Sequence, residues 1–264
     1  MKNFVFISPN FPDSYWQFCM ELKKNGMRVL GIGDCPYFEL RQELRDCLED
    51  YFKVSSLENY DEVYRAVAFL TYKFGKIDWL ESNNEYWLER DAKLRTEFNI
   101  TTGPQVGDMR RIKYKSAMKE YYAEAGIPTA RYHLVDTYEG CAAFAATIGY
   151  PVIVKPDNGV GASNTYRLHN DEELRWFMAD KDDTVYIMEE FVNGEVRTYD
   201  GIVDWDKTIQ RLKTAKKQEI LNFELKIRPK GNRCTYDLYS KLSLEGYFRK
   251  AYETASRAIK GYFE

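Results

Sequence analysis

The chain has 264 residues, of which 44% are hydrophobic and 30% charged, and its formal net charge is -3. This length accommodates two domains of common size or one large domain. A nearly balanced charge supplies no general attraction for nucleic acid or for an anionic membrane, so we expect neither as a partner. No apolar run approaches the roughly 20 residues of a bilayer-spanning helix, and residues 4–7 are typical of a first strand rather than a signal peptide.

The thiol and imidazole groups of the sequence predict no metal or nucleophile chemistry. The cysteines are Cys19, Cys35, Cys47, Cys141 and Cys234. They are odd in number, scattered and without a CxxC pair, which favours a reducing, cytoplasmic location over a disulfide framework or a zinc site. The two histidines, His133 and His169, lie far apart. Asp136 and Asp171 are near the two histidines in the sequence, but no second histidine or cysteine is seen to join either histidine. Both histidines are therefore interpreted as structural or surface residues.

Short apolar runs alternate with helical patterns through the first hundred residues. The predicted strands are 4–8, 28–32, 51–54 and 77–81, and the predicted helices are 13–25, 38–48, 60–74 and 86–98. Alternation at this spacing is typical of right-handed βαβ units and predicts a Rossmann-like α/β domain with a parallel sheet.

The first β-to-α loop, residues 8–13, carries no G-x-G-x-x-G sequence, so a backbone cradle for a pyrophosphate is missing. The later Gly31-Ile32-Gly33 is too short to count as that fingerprint. A dinucleotide-dependent oxidoreductase is therefore disfavoured.

The turn-rich segment 101–107 predicts a domain boundary. Beyond it, the predicted helices are 109–125, 138–148 and 172–179, and the predicted strands are 131–135, 151–155, 164–168, 185–189 and 196–203. We therefore expect an α/β domain at residues 1–103 and an α+β domain at residues 104–264.

An apolar strand delivers Lys155 into a loop that contains Gly159, Gly161 and Ser163. A lysine at a strand end is a compact positive charge suited to phosphate oxygens, and loop glycines let backbone N–H groups approach an anion. Taken alone, the same residues are equally typical of a hairpin turn with an exposed lysine.

A second strand, residues 185–189, ends in two carboxylates, Glu189 and Glu190, followed by the apolar pair Phe191 and Val192. Backbone groups and one carboxylate at such a position could hydrogen-bond the edge of a base, with the apolar side chains covering its face. Taken alone, a solvated acidic strand end before a turn is the simpler interpretation.

The segment 110–119 has five basic residues, a density that usually indicates a solvated helix face. Its Lys115 precedes Gly126-Ile127-Pro128, and the lysine strand, the glycine-rich loop and the "MEEFV-N-GE" segment follow in that order. This ordered set resembles the first half of the ATP-grasp ligases, such as biotin carboxylase, carbamoyl phosphate synthetase large chain and D-alanine–D-alanine ligase. The resemblance covers roughly residues 1–204. It implies a pre-ATP-grasp domain followed by an ATP-grasp domain whose lid spans about residues 128–190.

The resemblance also implies roles for single residues. Lys115 and Lys155 correspond to the two phosphate-binding lysines, and the segment from Gly159 to Ser163 corresponds to the mobile loop that closes over the phosphates. The segment Glu189 to Val192 corresponds to the hinge that holds adenine. Glu195 is the nearest candidate for the acid that binds ribose, although its register is one residue away from that of some family members.

The metal-binding half of the resemblance is incomplete. The family binds Mg²⁺ through two acidic residues, usually with an Asn two positions beyond the second. Residues 221–231 resemble the signature E-x-N-x-R-P-x-G, with Glu224 as the metal ligand and Arg228 as the catalytic arginine, but Lys226 stands in place of the Asn. In an alternative register Glu224 corresponds to the earlier acid and the later one is lost. We therefore expect a shortened second half that lacks one carboxylate, while an exposed amphipathic strand remains the alternative interpretation.

The resemblance implies an ATP- and Mg²⁺-dependent ligase. Such an enzyme phosphorylates the carboxylate of a small-molecule acid, and an amine or similar nucleophile then captures the acyl phosphate. The alternative is a nucleotide-binding relative that has lost its chemistry with its magnesium site. The resemblance leaves open whether the chain forms a homodimer. It identifies neither the acid substrate nor the nucleophile.

Overall fold

The computed structural model describes residues 1–159 and 164–194, and also the backbone of four later strands. These residues form two compact units. The first contains residues 1–82 and 97–103 together with the four later strands, and the second contains residues 83–96 and 104–194. Among the described residues, none of the helices is both long enough and apolar enough to cross a membrane. The domain division at residue 103 remains our proposal.

A parallel sheet forms the centre of the first unit, as the strand–helix alternation predicts. Its strands are β1 (Asn3–Ile7), β2 (Arg28–Gly33), β3 (Asp50–Lys53) and β4 (Trp79–Glu81). They follow the spatial order β3-β2-β1-β4, and each neighbouring pair is parallel. The helices of this unit are α1 (Trp16–Lys24), α2 (Gln42–Cys47) and α3 (Tyr60–Phe74). Every residue of β1 is buried, as expected for a central strand of a parallel sheet.

The Gly31-Ile32-Gly33 segment lies inside β2, and its glycines make room for one side chain. A Cβ on Gly31 would lie 2.8 Å from Cδ2 of Tyr51, and a Cβ on Gly33 would lie 2.5 Å from the Tyr51 hydroxyl oxygen. That hydroxyl donates a hydrogen bond of 2.7 Å to the carbonyl of Cys35, which fixes the ring. The close approach of a neighbouring side chain therefore accounts for this glycine pair.

The second unit is built around an antiparallel sheet. Its helices are α4 (Leu88–Glu97), α5 (Met109–Lys113), α6 (Lys115–Glu124), α7 (Tyr138–Ile148) and α8 (Asp171–Asp180). Its strands are β5 (Tyr132–Leu134), β6 (Val152–Pro156), β7 (Tyr166–Leu168) and β8 (Tyr186–Glu190), in the spatial order β5-β8-β6-β7. Alternate residues of β6 are buried, and they join side chains of α7 and α8 in one apolar core. Because β6 and β8 are antiparallel neighbours, the end of β6 lies beside the beginning of β8, and Ile153 is paired with Glu189.

The single helix predicted over 109–125 is wrong. The chain leaves helical geometry at Tyr114, where φ is -90° and ψ is 121°, and α6 begins at the next residue. The backbone N–H of Lys115 is directed to the carbonyl of Asp157 at 3.0 Å instead of continuing the ladder of α5. A long-range contact therefore interrupts a segment whose local pattern is continuously helical.

The later strands are β9 (Arg197–Val203), β10 (Ile209–Lys216), β11 (Glu224–Lys230) and β12 (Arg233–Tyr239). They form a separate antiparallel sheet in the order β12-β11-β10-β9. The sequence "ELKIRPK" is β11, and its register with β12 pairs Lys226 with Asp237.

The glycine arrangement in β2 gives a first prediction. Gly31→Ala should lower the free energy of unfolding by about 1–3 kcal/mol, because the added methyl group overpacks against the fixed Tyr51 ring and Leu48. Gly107→Ala is the matched control, since a Cβ there meets no atom within 4 Å. Denaturant unfolding followed by circular dichroism measures both variants. Equal stability of the two would contradict the packing explanation.

Candidate functional site

Asp157 joins the end of β6 to the beginning of α6. Its carboxylate accepts hydrogen bonds from the backbone N–H of Ser116 and from the Ser116 hydroxyl, each at 2.7 Å. Its carbonyl accepts the N–H of Lys115 at 3.0 Å. The N–H groups at the start of a helix have no partner within the helix, so these contacts satisfy groups that would otherwise need water. Asp157 is only 4% exposed, and it holds Lys115 at the first position of α6, next to the end of β6.

The Lys115 ammonium group is surrounded by backbone carbonyls. Its Nζ donates to the carbonyl oxygens of Pro156 at 2.8 Å, Asp157 at 3.3 Å and Gly159 at 3.1 Å. A lysine ammonium has three N–H donors, so these contacts use all of them. Lys115 therefore binds the backbone at which the glycine-containing loop begins. Burial and, second, the nearby Lys155 charge hold the pKa of Lys115 below its ordinary value.

The Glu189 carboxylate bridges two lysines. Its Oε1 lies 2.9 Å from Nζ of Lys119, and its Oε2 contacts Nζ of Lys155. Lys119 also donates to the carbonyl of Ala130 at 2.9 Å. The Lys119 and Glu189 side chains are 9% and 10% exposed, whereas the Lys155 side chain is 27% exposed. Lys155 is therefore the member of this trio that a ligand from solvent can reach.

The second carboxylate of the pair, Glu190, has different partners. Its Oε2 lies 2.6 Å from Nε of Arg131, and its Oε1 accepts the backbone N–H of the same residue at 2.8 Å. These hydrogen bonds, with the backbone N–H first, hold the pKa of Glu190 below its ordinary value. Successive residues of a strand point to opposite faces, which explains why Glu189 meets lysines while Glu190 meets an arginine.

The two apolar residues after β8 are accessible. Phe191 is 37% exposed and Val192 is 65% exposed. The Arg167 guanidinium group lies 4.1 Å above the centre of the Phe191 ring, within the range of a cation–π contact. Exposed apolar side chains at a strand end can cover the face of a planar ligand.

The structure thus brings Lys115, Lys155 and Glu189 within electrostatic range of one another, with Gly159 bound to the first of them. Gly161, Ser163 and Glu195 lie outside the described residues. Glu224 and Arg228 lie in β11, and their side chains are likewise outside the described part of the chain.

Two residues that the sequence analysis did not single out, Lys119 and Asp157, hold this site together. Lys119 lies four residues after Lys115 in α6, and this spacing places side chains on the same face of a helix. Asp157 follows Lys155-Pro156 directly, as a polar residue just past an apolar strand. Both signals are present in the sequence, but the roles of the two residues follow only from their tertiary contacts.

Comparison with known proteins relates one segment of the chain to a known domain family. A family model for the ATP-binding domain of the carbamoyl-phosphate synthase L chain matches residues 111–194. Those residues contain both candidate phosphate-binding lysines and the segment Glu189 to Val192. The L-arginine-specific L-amino acid ligase of Bacillus subtilis is 32% identical over 108 residues, which are 41% of this chain and 26% of the ligase.

Solved structures share the fold at low sequence identity. N5-carboxyaminoimidazole synthetase from Staphylococcus aureus aligns with a TM-score of 0.67 and 14% identity, over 98% of this chain and 77% of that protein. The biotin carboxylase domain of Hydrogenobacter thermophilus 2-oxoglutarate carboxylase aligns with a TM-score of 0.64 and 17% identity, over 98% of this chain and 58% of that domain's chain. That structure is a dimer in complex with MgADP, ADP and bicarbonate.

The fold is that of a two-unit α/β protein, and residues 111–194 match the model of an ATP-binding domain. Within the matched region the chain is similar to ATP-binding domains of ligases and of carbamoyl-phosphate synthase, and its fold is similar to that of a biotin carboxylase domain. The chain spans about a quarter of the length of the amino acid ligase that it resembles.

The contacts of Asp157 give a second prediction. Asp157→Ala should lower the free energy of unfolding by about 1–3 kcal/mol, because it removes two buried hydrogen-bond acceptors at the start of α6. Asn170→Ala is the matched control, since that side chain caps α8 through a single bond of 2.9 Å to the N–H of Glu173. Chemical denaturation compares the two. The role given to Asp157 fails if its loss costs no more than the loss of this ordinary cap.

Proposed function

We propose that this chain binds ATP with Mg²⁺ and uses the nucleotide to join a small-molecule carboxylic acid to an amine or a similar nucleophile. The observation that carries the proposal is the cluster of Lys115, Lys155 and Glu189, which lies within the region that matches an ATP-binding domain. The similarity to an amino acid ligase supports the reaction class.

The triphosphate is assigned to the two lysines and to the loop after β6. Lys155 is the accessible lysine of the Glu189 trio, so its ammonium is assigned to phosphate oxygens. Lys115 contacts the same polyphosphate when one of its backbone acceptors is replaced by a phosphate oxygen. The loop through Gly159, Gly161 and Ser163 is proposed to cover the phosphates with backbone N–H groups.

The adenosine is assigned to the segment after β8. Backbone groups of Glu189 to Val192 are proposed to bind the base edge, with Phe191 and Val192 covering a face of the ring, since both side chains are accessible. Glu195 is proposed to bind the ribose.

The reaction needs positioning and charge stabilisation more than a covalent protein group. A carboxylate oxygen of the acid attacks the γ-phosphorus, the bond to the bridging oxygen breaks, and ADP leaves with an acyl phosphate formed. The nucleophile then attacks the acyl carbon and inorganic phosphate leaves. Mg²⁺, when bound, neutralises phosphate charge. Glu224 is the proposed metal ligand, and Arg228 is proposed to stabilise the transferring phosphoryl group.

The assignment of Lys155 is tested by Lys155→Met. We expect ATP affinity to fall about 10- to 150-fold, because a charge-assisted phosphate contact contributes about 1.5–3 kcal/mol. Lys73→Met is the control, since Lys73 also forms an ion pair, with Asp50 at 2.8 Å, but belongs to the first unit. Isothermal titration with ATP and Mg²⁺ measures both. Unchanged affinity in a folded Lys155→Met protein would reject the assignment.

Lys119 is expected to act on the nucleotide only through Glu189. Lys119→Met should lower the free energy of unfolding by about 1–3 kcal/mol, since Glu189 and the Ala130 carbonyl each lose a buried partner. It should weaken ATP binding less than Lys155→Met does, because the Lys119 side chain is only 9% exposed. A larger loss of affinity in Lys119→Met than in Lys155→Met would show that the roles of the two lysines are reversed.

The second candidate function is a nucleotide-binding protein without ligase activity. The observation that favours it is Lys226, which stands two residues after Glu224 where the family pattern has Asn. Release of ADP over a panel of acids and amines, measured beside ATP affinity, separates the two functions. ATP binding without turnover on any pair would favour the second.

The magnesium site is tested by Lys226→Asn. If the lysine only impairs a metal site, this change should raise Mg²⁺-dependent turnover or ATP affinity, because an amide oxygen replaces an ammonium charge. Lys230→Asn, at the other end of β11, is the control. Robust wild-type turnover at low Mg²⁺ would show instead that the metal is bound elsewhere in the chain.

We further propose that the chain assembles as a homodimer. The support is that the biotin carboxylase domain with the same fold is a dimer. Light scattering on the purified chain tests the assembly, and a monomer mass across the working concentration range would reject it.

A further inference from the structure

Three side chains with different metal-binding groups meet where β5 leads into α7. The Nε2 atom of His133 lies 2.9 Å from Oδ1 of Asp136, and Sγ of Cys141 lies 3.9 Å from the same oxygen. The three donor atoms all lie within 4.8 Å of one another. Asp136 is close to His133 in the sequence, and the first turn of α7 brings Cys141 to the same point, a meeting that the sequence did not predict.

The backbone is shaped to hold the Asp136 carboxylate at this point. A Cβ on Gly140 would lie 2.5 Å and 2.9 Å from the two carboxylate oxygens, so any other residue there would displace the carboxylate from this position. The N–H of Gly140 is bound to the Thr137 side chain, the N-cap of α7, at 3.1 Å. The carboxylate therefore packs directly against the first turn of the helix that carries Cys141.

The other two donors are also held in place. The His133 ring stacks on Phe144 with a centroid separation of 5.6 Å and an interplanar angle of 27°. Cys141 is fully buried in the core of the second unit. The His133 and Asp136 side chains are 31% and 54% exposed, so water has access to the remaining side of the cluster.

Packing and hydrogen bonding account for only part of this arrangement. A buried cysteine is a common core residue, and an exposed His–Asp pair contributes little to stability. Neither role requires one carboxylate oxygen to approach an imidazole nitrogen and a thiol sulfur at once. Shared proximity of nitrogen, oxygen and sulfur donors is what a borderline-soft divalent cation needs.

The separations fit a tetrahedral site. Zinc bonds of about 2.0–2.3 Å place neighbouring ligand atoms roughly 3.3–3.7 Å apart. The observed separations of 2.9 Å and 3.9 Å lie on either side of that range, and the third lies within 4.8 Å, so shifts of up to about 1 Å would complete the geometry. We propose that His133, Asp136 and Cys141 bind Zn²⁺, with water as the fourth ligand.

This site differs in its chemistry from the proposed nucleotide site. Mg²⁺ prefers an octahedral set of oxygen ligands and is poorly served by nitrogen and sulfur. Binding of Zn²⁺ displaces the thiol proton of Cys141 to solvent, and it must do so against the burial that raises the pKa of this thiol. Zinc binding here does not depend on ATP binding, so each proposal can fail without the other.

The test is metal titration of the full chain without nucleotide, after reduction and removal of metal. Zn²⁺ is added in competition with a chromophoric chelator, and Co²⁺ is added separately because a thiolate ligand gives it a near-ultraviolet charge-transfer band. The variants are His133→Gln and Cys141→Ser. The controls are His169→Gln, the other histidine, and Cys35→Ser, a free cysteine in the first unit.

We expect one zinc per wild-type chain, a thiolate–cobalt band, and at least about a tenfold loss of zinc affinity in each cluster variant. The controls should stay within about twofold of wild type. His133 is partly exposed, so His133→Gln remains informative even if Cys141→Ser unfolds. Absence of zinc binding, absence of the thiolate band, or equal losses in the cluster and control variants would overturn the proposal.

Discussion

The Glu189 carboxylate is the group on which the arrangement of the site depends. It contacts Lys119 on one oxygen and Lys155 on the other, and each partner comes from a different element. Two ammonium groups brought this close inside a protein repel each other and lose hydration. A single buried carboxylate offsets both effects, so α6, β6 and β8 are joined through charge as well as through apolar packing.

A second joint, made by Asp157, sets where the helical lysines lie. Because it binds the first N–H groups of α6, the helix restarts at Lys115, and one further turn places Lys119 beside Glu189. The contacts of Glu189 and those of Asp157 both connect α6 with β6 or with the residue that follows β6. Lys155 therefore lies between two fixed points, namely its own ion pair with Glu189 and the contacts of Asp157, two residues later, with α6. Its ammonium group keeps access to solvent.

Local patterns were enough to predict most of the elements. The helix over residues 60–74 and the helix over residues 138–148 were predicted at their observed bounds, because each has a capping residue before it and a glycine after it. The break at Tyr114 and the roles of Lys119 and Asp157 were missed, because they arise from residues far apart in the chain. The Lys155 and Glu189 motifs could be located from sequence, but not the ion pair between them.

The three carbonyl contacts of Lys115 have a consequence for how an anion would enter. The ammonium has no spare N–H, so the backbone at 156–159 occupies the donors that a phosphate would need. The backbone carbonyls therefore compete with an incoming anion for the N–H donors of Lys115. An anion that displaces one of these carbonyls also removes a contact that holds the backbone at 156–159. Stronger hydrogen bonding of Lys115 to its own backbone would then lower its affinity for a ligand.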